Sequence, residues 1–254
     1  MSEATDTLNG FEAEQASTPR VVVLISGSGS NLQALIDAQS YDELGGEIVA
    51  VISNKADAYG LKRARDAGIE AVALPHREYD SREAFDGALI KVIERHEPDL
   101  VVLAGFMRIL TPRFVQRFYG RMLNIHPSLL PAYQGLHTHA RALADGVAEH
   151  GVSVHFVSEE LDGGPVVVQA AVDVTAEDTE DSLKDKVQSR EHLIYPIAVR
   201  WFLEGRLSLS AKGPTLDGTP LPPQGLRLSH ADAAEELDED LAEEAEDGHD
   251  DRNA

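Results

Sequence analysis

Beyond residue 19 the chain alternates short apolar runs with stretches of helical spacing. Residues 21–26 (VVVLIS) are a β-branched run that ends in a glycine loop, and 31–38 then read as a helix. A second run, 47–53 (EIVAVIS), precedes a helix over 59–67 that Gly68 stops, and 69–74 give a third strand. Over 81–96 Phe85, Leu89, Val92 and Ile93 recur on one helical face, with Ser81 as the start signal. Residues 99–104 (DLVVLA) and 122–125 (MLNI) are two further strands. Apolar runs without strict alternation, separated by helices, predict a parallel sheet covered on both faces.

The rhythm changes after residue 150. Residues 151–157 (GVSVHFV) and 165–174 (PVVVQAAVDV) are consecutive strand-like runs joined by a turn-rich stretch, which predicts an antiparallel addition to the sheet. A long helix over 180–205 closes the body, with Pro196 kinking it or dividing it in two. The predicted fold is thus α/β: a doubly wound, mostly parallel, Rossmann-like sheet with antiparallel C-terminal strands. Residues 213–225 are rich in Pro and Gly and read as an extended strap.

Charge changes the picture mainly at the ends. The net charge is −22, of which residues 231–254 carry −11 and residues 1–19 carry −4, leaving −7 for 20–230. An acidic body argues against a nucleic-acid or anionic-membrane partner, which needs a basic face. The termini are expected to be a disordered extension over 1–19 and an acidic, disordered tail over 226–254, with removal of everything after Ser229 leaving catalysis and stability intact. The chain has no cysteine and no apolar run of about 20 residues, the length that spans a bilayer. A soluble, cytoplasmic protein is the expectation, and thiolate chemistry is excluded.

Ligands of open α/β sheets bind at the carboxyl ends of the strands. After the first strand comes Gly27-Ser28-Gly29-Ser30-Asn31-Leu32. Leu32 breaks the dinucleotide fingerprint at its third glycine, and no Gly-Lys-Ser/Thr is present for a Walker loop. The loop is either a cradle for a phosphate monoester at a helix N-terminus or a tight turn with a Ser/Asn cap. After the fifth strand, Asn124 and His126 share one strand face, where they are either donors to a developing oxyanion or a buried polar pair. Asp162, in the Leu-Asp-Gly-Gly-Pro turn, is either a turn initiator or a carboxylate facing His126. Ser153 and His155 share a strand face as cleft or core residues. His137 and His139, two apart, suit one strand. Without Cys or H-E-x-x-H spacing, no metal site is expected.

Six segments in order resemble one family: VVLISGSGSNLQAL, VISNKADAYGLKRA, DLVVLAGFMRIL, LNIHPSLLPAYQGLHTH, GVSVHFVSEELDGGPVVVQ and SREHLIYP. They are similar to the phosphoribosylglycinamide formyltransferases, folate-dependent enzymes of purine synthesis, over residues 20–225, the expected formyltransferase domain. The resemblance implies a formyl donor, 10-formyltetrahydrofolate, as co-substrate, small-molecule partners and no metal; a homodimer and a monomer are both compatible with it. It implies Asn124, His126 and Asp162 as the catalytic group. For the ribonucleotide it implies Gly29, Ser30, Asn31, Gln188 and Glu191, and for folate Arg82, Met107, Arg108 and Leu110 beside Asn124. Ser153 and His155 are expected to line the cleft, and Leu130–Pro131 to be a cis bond in a tight turn. Ser28 departs from the asparagine familiar at its position. Relatives with the same catalytic residues formylate a transfer RNA or hydrolyse the donor. The first would need a C-terminal RNA-binding domain where this chain has acid, and the second an N-terminal domain where strand one begins at about residue 20.

Overall fold

The computed structural model describes residues 17–229, 231–233 and 236. In chain order the main elements are β1 (Arg20–Ile25), α1 (Ser30–Ser40), β2 (Glu47–Ser53), α2 (Tyr59–Asp66), β3 (Glu70–Ala73), α3 (Arg82–Glu94), β4 (Leu100–Leu103), α4 (Pro112–Arg117), β5 (Met122–His126), α5 (Thr138–Asp145), β6 (Glu149–Phe156), β7 (Val166–Asp173) and α6 (Glu180–Leu203). The chain then forms β8 (Leu207–Ser210), β9 (Gly213–Leu216), β10 (Thr219–Pro220) and β11 (Leu226–Arg227). Eight strands form one sheet in the order β11-β7-β6-β5-β4-β1-β2-β3. The pairs from β5 to β3 are parallel, and β6 is antiparallel to both β5 and β7.

The continuous apolar runs have a simple cause. Val21, Val23 and Ile25 face one core, with α1, α2 and α6, while Val22 and Leu24 face the other, with α3 and α4. A strand buried on both faces has no polar side to show. The order of the sheet reverses between β1 and β4, so β1, β4 and β5 end together at the switch point, where a crevice is expected.

Helix α6 runs through Pro196 as one element, which leaves the kink and excludes the division; Ile194–Trp201 is buried along its length, and packing offsets the missing hydrogen bond. Three expectations need correction. His137 caps α5 and His139 lies in its first turn, so the pair is not on a strand. The strap over 213–225 contains a hairpin, β9–β10, which turns at Asp217 (φ 49°) and Gly218 (φ 76°) and adds to β8 in a separate three-stranded sheet. Ordered structure also continues past residue 225. Leu226 and Arg227 pair in parallel with Val168 and Gln169, Ala231–Ala233 are helical, and Ala233 is fully buried. Leu226 and Ala233 supply the apolar contacts that the acidic composition obscured. The tail beyond residue 236, and the extension over 1–16, lie outside the described residues.

Candidate active site

The loop after β1 turns at Gly29, whose backbone is left-handed (φ 72°). A Cβ there would stand 2.7 Å from the Gly60 Cα, so the start of α1 packs on the start of α2 through two glycines. Gly29 offers α1 no side-chain cap. The helix therefore presents its first N–H groups and positive dipole end, the arrangement that binds anions. Helix α6 crosses this end. Gln188 donates to the Ser30 hydroxyl at 2.8 Å, and the Asn31 amide donates to Glu191 at 2.8 Å. Burial raises the Glu191 pKa, and the Asn31 hydrogen bond opposes the shift. Among the described residues the Asn31 amide oxygen is buried without a partner. The five residues expected at one subsite thus fall together. A cavity of about 410 Å³ continues from Ser30 between α1 and α6, past Arg63, Asp37, Tyr41 and His192.

At the end of β5, Asn124 and His126 point to the same side of the sheet, as strand alternation requires. His126 is 6% exposed, its Nδ1 3.4 Å from Asp162 Oδ2 and its Nε2 2.9 Å from the Tyr133 carbonyl oxygen. Both ring nitrogens thus face oxygen acceptors, which fixes the plane of the ring. Asp162 has a left-handed backbone (φ 50°), and its carboxylate also accepts from the Gly135 N–H at 2.9 Å. The loop between β5 and α5 thus holds both partners of the pair. Leu130–Pro131 within that loop is cis, as expected.

Asn124 is held from the neighbouring strand. It pairs with His155 in the β5–β6 register, and its amide nitrogen lies 3.0 Å from His155 Nε2. His155 Nδ1 lies 2.9 Å from the Phe156 carbonyl oxygen, so the proton sits on Nδ1 and Nε2 accepts from Asn124. Burial pushes the His155 pKa down to about 4, which keeps the ring neutral and that acceptor available. One amide hydrogen of Asn124 is used; the second is left for a ligand.

Asn124 and His155 line a cleft with Arg108, Leu110 and residues 158–162. Leu110 is nearly buried, the Arg108 guanidinium stacks 4.8 Å from the Phe85 ring centroid, and Met107, 67% exposed, is next in sequence to Arg108 but outside the residues that line the cleft. Ser153 does not line this cleft, contrary to expectation. It is fully buried, donates to the Ser128 carbonyl and accepts from the Leu130 N–H and the Gln169 amide, so it anchors the turn after β5. Arg82 is exposed at the first turn of α3, outside the cleft lining. The Tyr133 carbonyl and the Gly135 N–H are site groups that no residue pattern marks, because both belong to the backbone.

A helix N-terminus without a side-chain cap and the group Asn124, His126 and Asp162 thus lie at the carboxyl ends of the strands of a doubly wound sheet, where α/β enzymes of this class bind their ligands. The chain belongs to the formyl transferase family, whose model matches residues 19–199. It is 58% identical over 205 residues to the phosphoribosylglycinamide formyltransferase of Escherichia coli strain K12, covering 81% of this chain and 97% of that one. The human trifunctional purine biosynthetic protein adenosine-3 is 46% identical over 80% of this chain, which spans 20% of that protein. Among solved structures, the phosphoribosylglycinamide formyltransferase of Coxiella burnetii superposes with a TM-score of 0.81 at 52% identity, covering 84% of this chain and all of that one.

Proposed function

We propose that this chain transfers the formyl group of 10-formyltetrahydrofolate to the glycinamide amine of 5'-phosphoribosylglycinamide, a step of purine biosynthesis, releasing tetrahydrofolate. The observation that carries this reading is the convergence of Asn124, His126 and Asp162 at the end of β5, with His126 and Asp162 3.4 Å apart. The ribonucleotide phosphate sits against the N–H groups of Gly29, Ser30 and Asn31, and its ribose hydroxyls meet Glu191, Gln188 and the unpaired Asn31 oxygen. Folate enters the cleft along Met107, Arg108 and Leu110, with Arg82 further out reaching its acidic tail. The amine attacks the formyl carbon, and the carbonyl oxygen becomes an oxyanion that takes hydrogen bonds from the second Asn124 amide hydrogen and from the His126 Nδ1–H, which the Asp162 carboxylate 3.4 Å away holds only loosely. The amine proton passes by way of Asp162 to the folate nitrogen, which departs as the carbon–nitrogen bond breaks. The enzyme acts on small molecules and works in the cytoplasm; among the described residues no helix is long and apolar enough to cross a membrane.

The test is the purified protein with both substrates. Formylated ribonucleotide and tetrahydrofolate should appear in equal amounts, with no turnover when the ribonucleotide is omitted. Formate release without the ribonucleotide would make water the acceptor and overturn the assignment.

A further inference from the structure

We propose that Asp86 and Ser26 are positioning residues that fix the folate-holding segment, residues 105–111, from opposite ends. The proposal rests on the assignment of that segment to folate. From residue 106 to 111 the chain is neither helix nor strand, so no ladder of main-chain hydrogen bonds sets its shape. Two side chains from elsewhere do. Ser26, at the end of β1, accepts from the Met107 N–H at 2.8 Å. Asp86, in the second turn of α3, accepts from the Thr111 N–H at 2.7 Å. Both are buried, at 3% and 2% exposed, so water does not compete for either bond.

Each anchor is itself held. The Ser26 hydroxyl donates to Asn54 Oδ1 at 2.5 Å, which turns its lone pairs toward Met107. Asn54 is 2% exposed at the end of β2, with His76 Nδ1 2.9 Å from its carbonyl oxygen. Next to Asp86, Phe85 carries the Arg108 guanidinium on its ring, so α3 supports the segment at Arg108 as well as at Thr111. Thr111 in turn caps α4, accepting from the Phe114 N–H. The segment is thus clamped between β1 and α3, with four peptide links between its two anchored nitrogens.

The choice of aspartate shows what the anchor is for. A buried carboxylate is costly unless well paired, and among the described residues Asp86 Oδ1 is buried without a partner. Asparagine would accept the Thr111 N–H without the charge. Fold stability alone therefore gives no reason for a carboxylate. A stronger, charge-assisted hold on one N–H does, where the peptide groups between Met107 and Thr111 must stand at fixed positions to meet a ligand.

The experiment compares Asp86→Ala, Asp86→Asn, Ser26→Ala and Met107→Asp in the full chain. For Asp86→Ala and Ser26→Ala the KM for the formyl donor should rise about tenfold, the loss of one buried hydrogen bond, while the ribonucleotide KM stays within about twofold. Asp86→Asn, which keeps an acceptor for Thr111 and loses the charge, should recover only part of the donor affinity. Amide hydrogen exchange should quicken at Thr111 in Asp86→Ala and at Met107 in Ser26→Ala, a readout that needs no folate. Met107→Asp changes an exposed side chain within the segment and should also raise the donor KM. If it does not, folate is not held there and both assignments fall. If it does, while Asp86→Ala and Ser26→Ala leave the donor KM unchanged or raise both KM values equally, the positioning role is refuted. Should Asp86→Ala not fold, Ser26→Ala decides by the same criteria.

Discussion

Glu236→Ala tests a second strap, C-terminal to the hairpin, in which Ala233 joins the α6 core and Glu236 meets Trp201, and its cost can be worked from one side chain. Trp201 is fully buried on α6, and its indole N–H donates to Glu236 Oε2 at 3.0 Å. The same carboxylate oxygen lies 3.7 Å from the guanidinium groups of Arg200 and Arg206. Alanine leaves the indole N–H without that acceptor, a cost of about 1–3 kcal/mol for a buried donor. The Arg206 contact is half solvated and adds little. A net loss of about 2 kcal/mol lowers Tm by roughly 4–8 °C in a domain of this size. Glu236→Gln keeps an acceptor for the indole and should lose less than half as much. Truncation after Ser229 removes Glu236 and the buried Ala233 together and should cost at least as much as Glu236→Ala. Trp201 is the only tryptophan, so its fluorescence during thermal unfolding reports the contact directly. Turnover below the transition should change little, since the strap meets α6 beyond the Gln188–Glu191 turn. An unchanged Tm in both Glu236→Ala and the truncated chain would refute the strap and restore the tail as a solvated appendage from Ser229 onward.

Three other outcomes follow from the site and its surroundings. Ser30→Asp places a charge at the uncapped start of α1 and should raise the ribonucleotide KM more than tenfold with little effect on the donor; equal weakening of both would point to misfolding instead. His155→Phe removes the acceptor that orients Asn124 and should lower kcat by about tenfold while leaving ribonucleotide binding unchanged, checked by steady-state kinetics and calorimetry. Burial holds both His150 and His155 to a pKa of about 4, below the ordinary 6.5, so between those values the unfolded chain binds more protons than the folded one. Stability should be fully present above pH 6.5 and fall as the pH drops towards 4, by a few kcal/mol in total; denaturant midpoints that do not change over that range would contradict it.

Much of the architecture could be read from residue patterns, because the parallel strands are buried on both faces and show as unbroken apolar runs. The placement of Asn124 and His126 was legible for a related reason: both sit at a strand end, where period-two spacing fixes a shared face. What escaped depends on contacts distant in sequence. Ser153 and His155 share a strand face, yet one is sealed under the Ser128–Leu130 turn and the other reaches the cleft, a distinction that needs the β5–β6 register and the bulge after Val154. The β9–β10 hairpin did carry a signal, since Asp217-Gly218 is the dipeptide that turns such hairpins, but the prolines around it read as a strap. Helix α4 was marked as well, by Thr111 as cap and Pro112 in the first turn. The docking of Ala233 and Glu236 left no trace in composition, where acid dominates.

In the proposed mechanism Asn124, His126 and Asp162 stabilise the transition state rather than bind the ribonucleotide. Single-turnover formyl transfer by His126→Ala, set beside the ribonucleotide Kd of the same variant by calorimetry, separates the two most directly. The transfer rate should fall by about 10²–10³, the usual loss for one oxyanion donor, with Kd within about twofold of the parent. A transfer rate near that of the parent, or a Kd that weakens in step with the rate, would remove His126 from transition-state stabilisation.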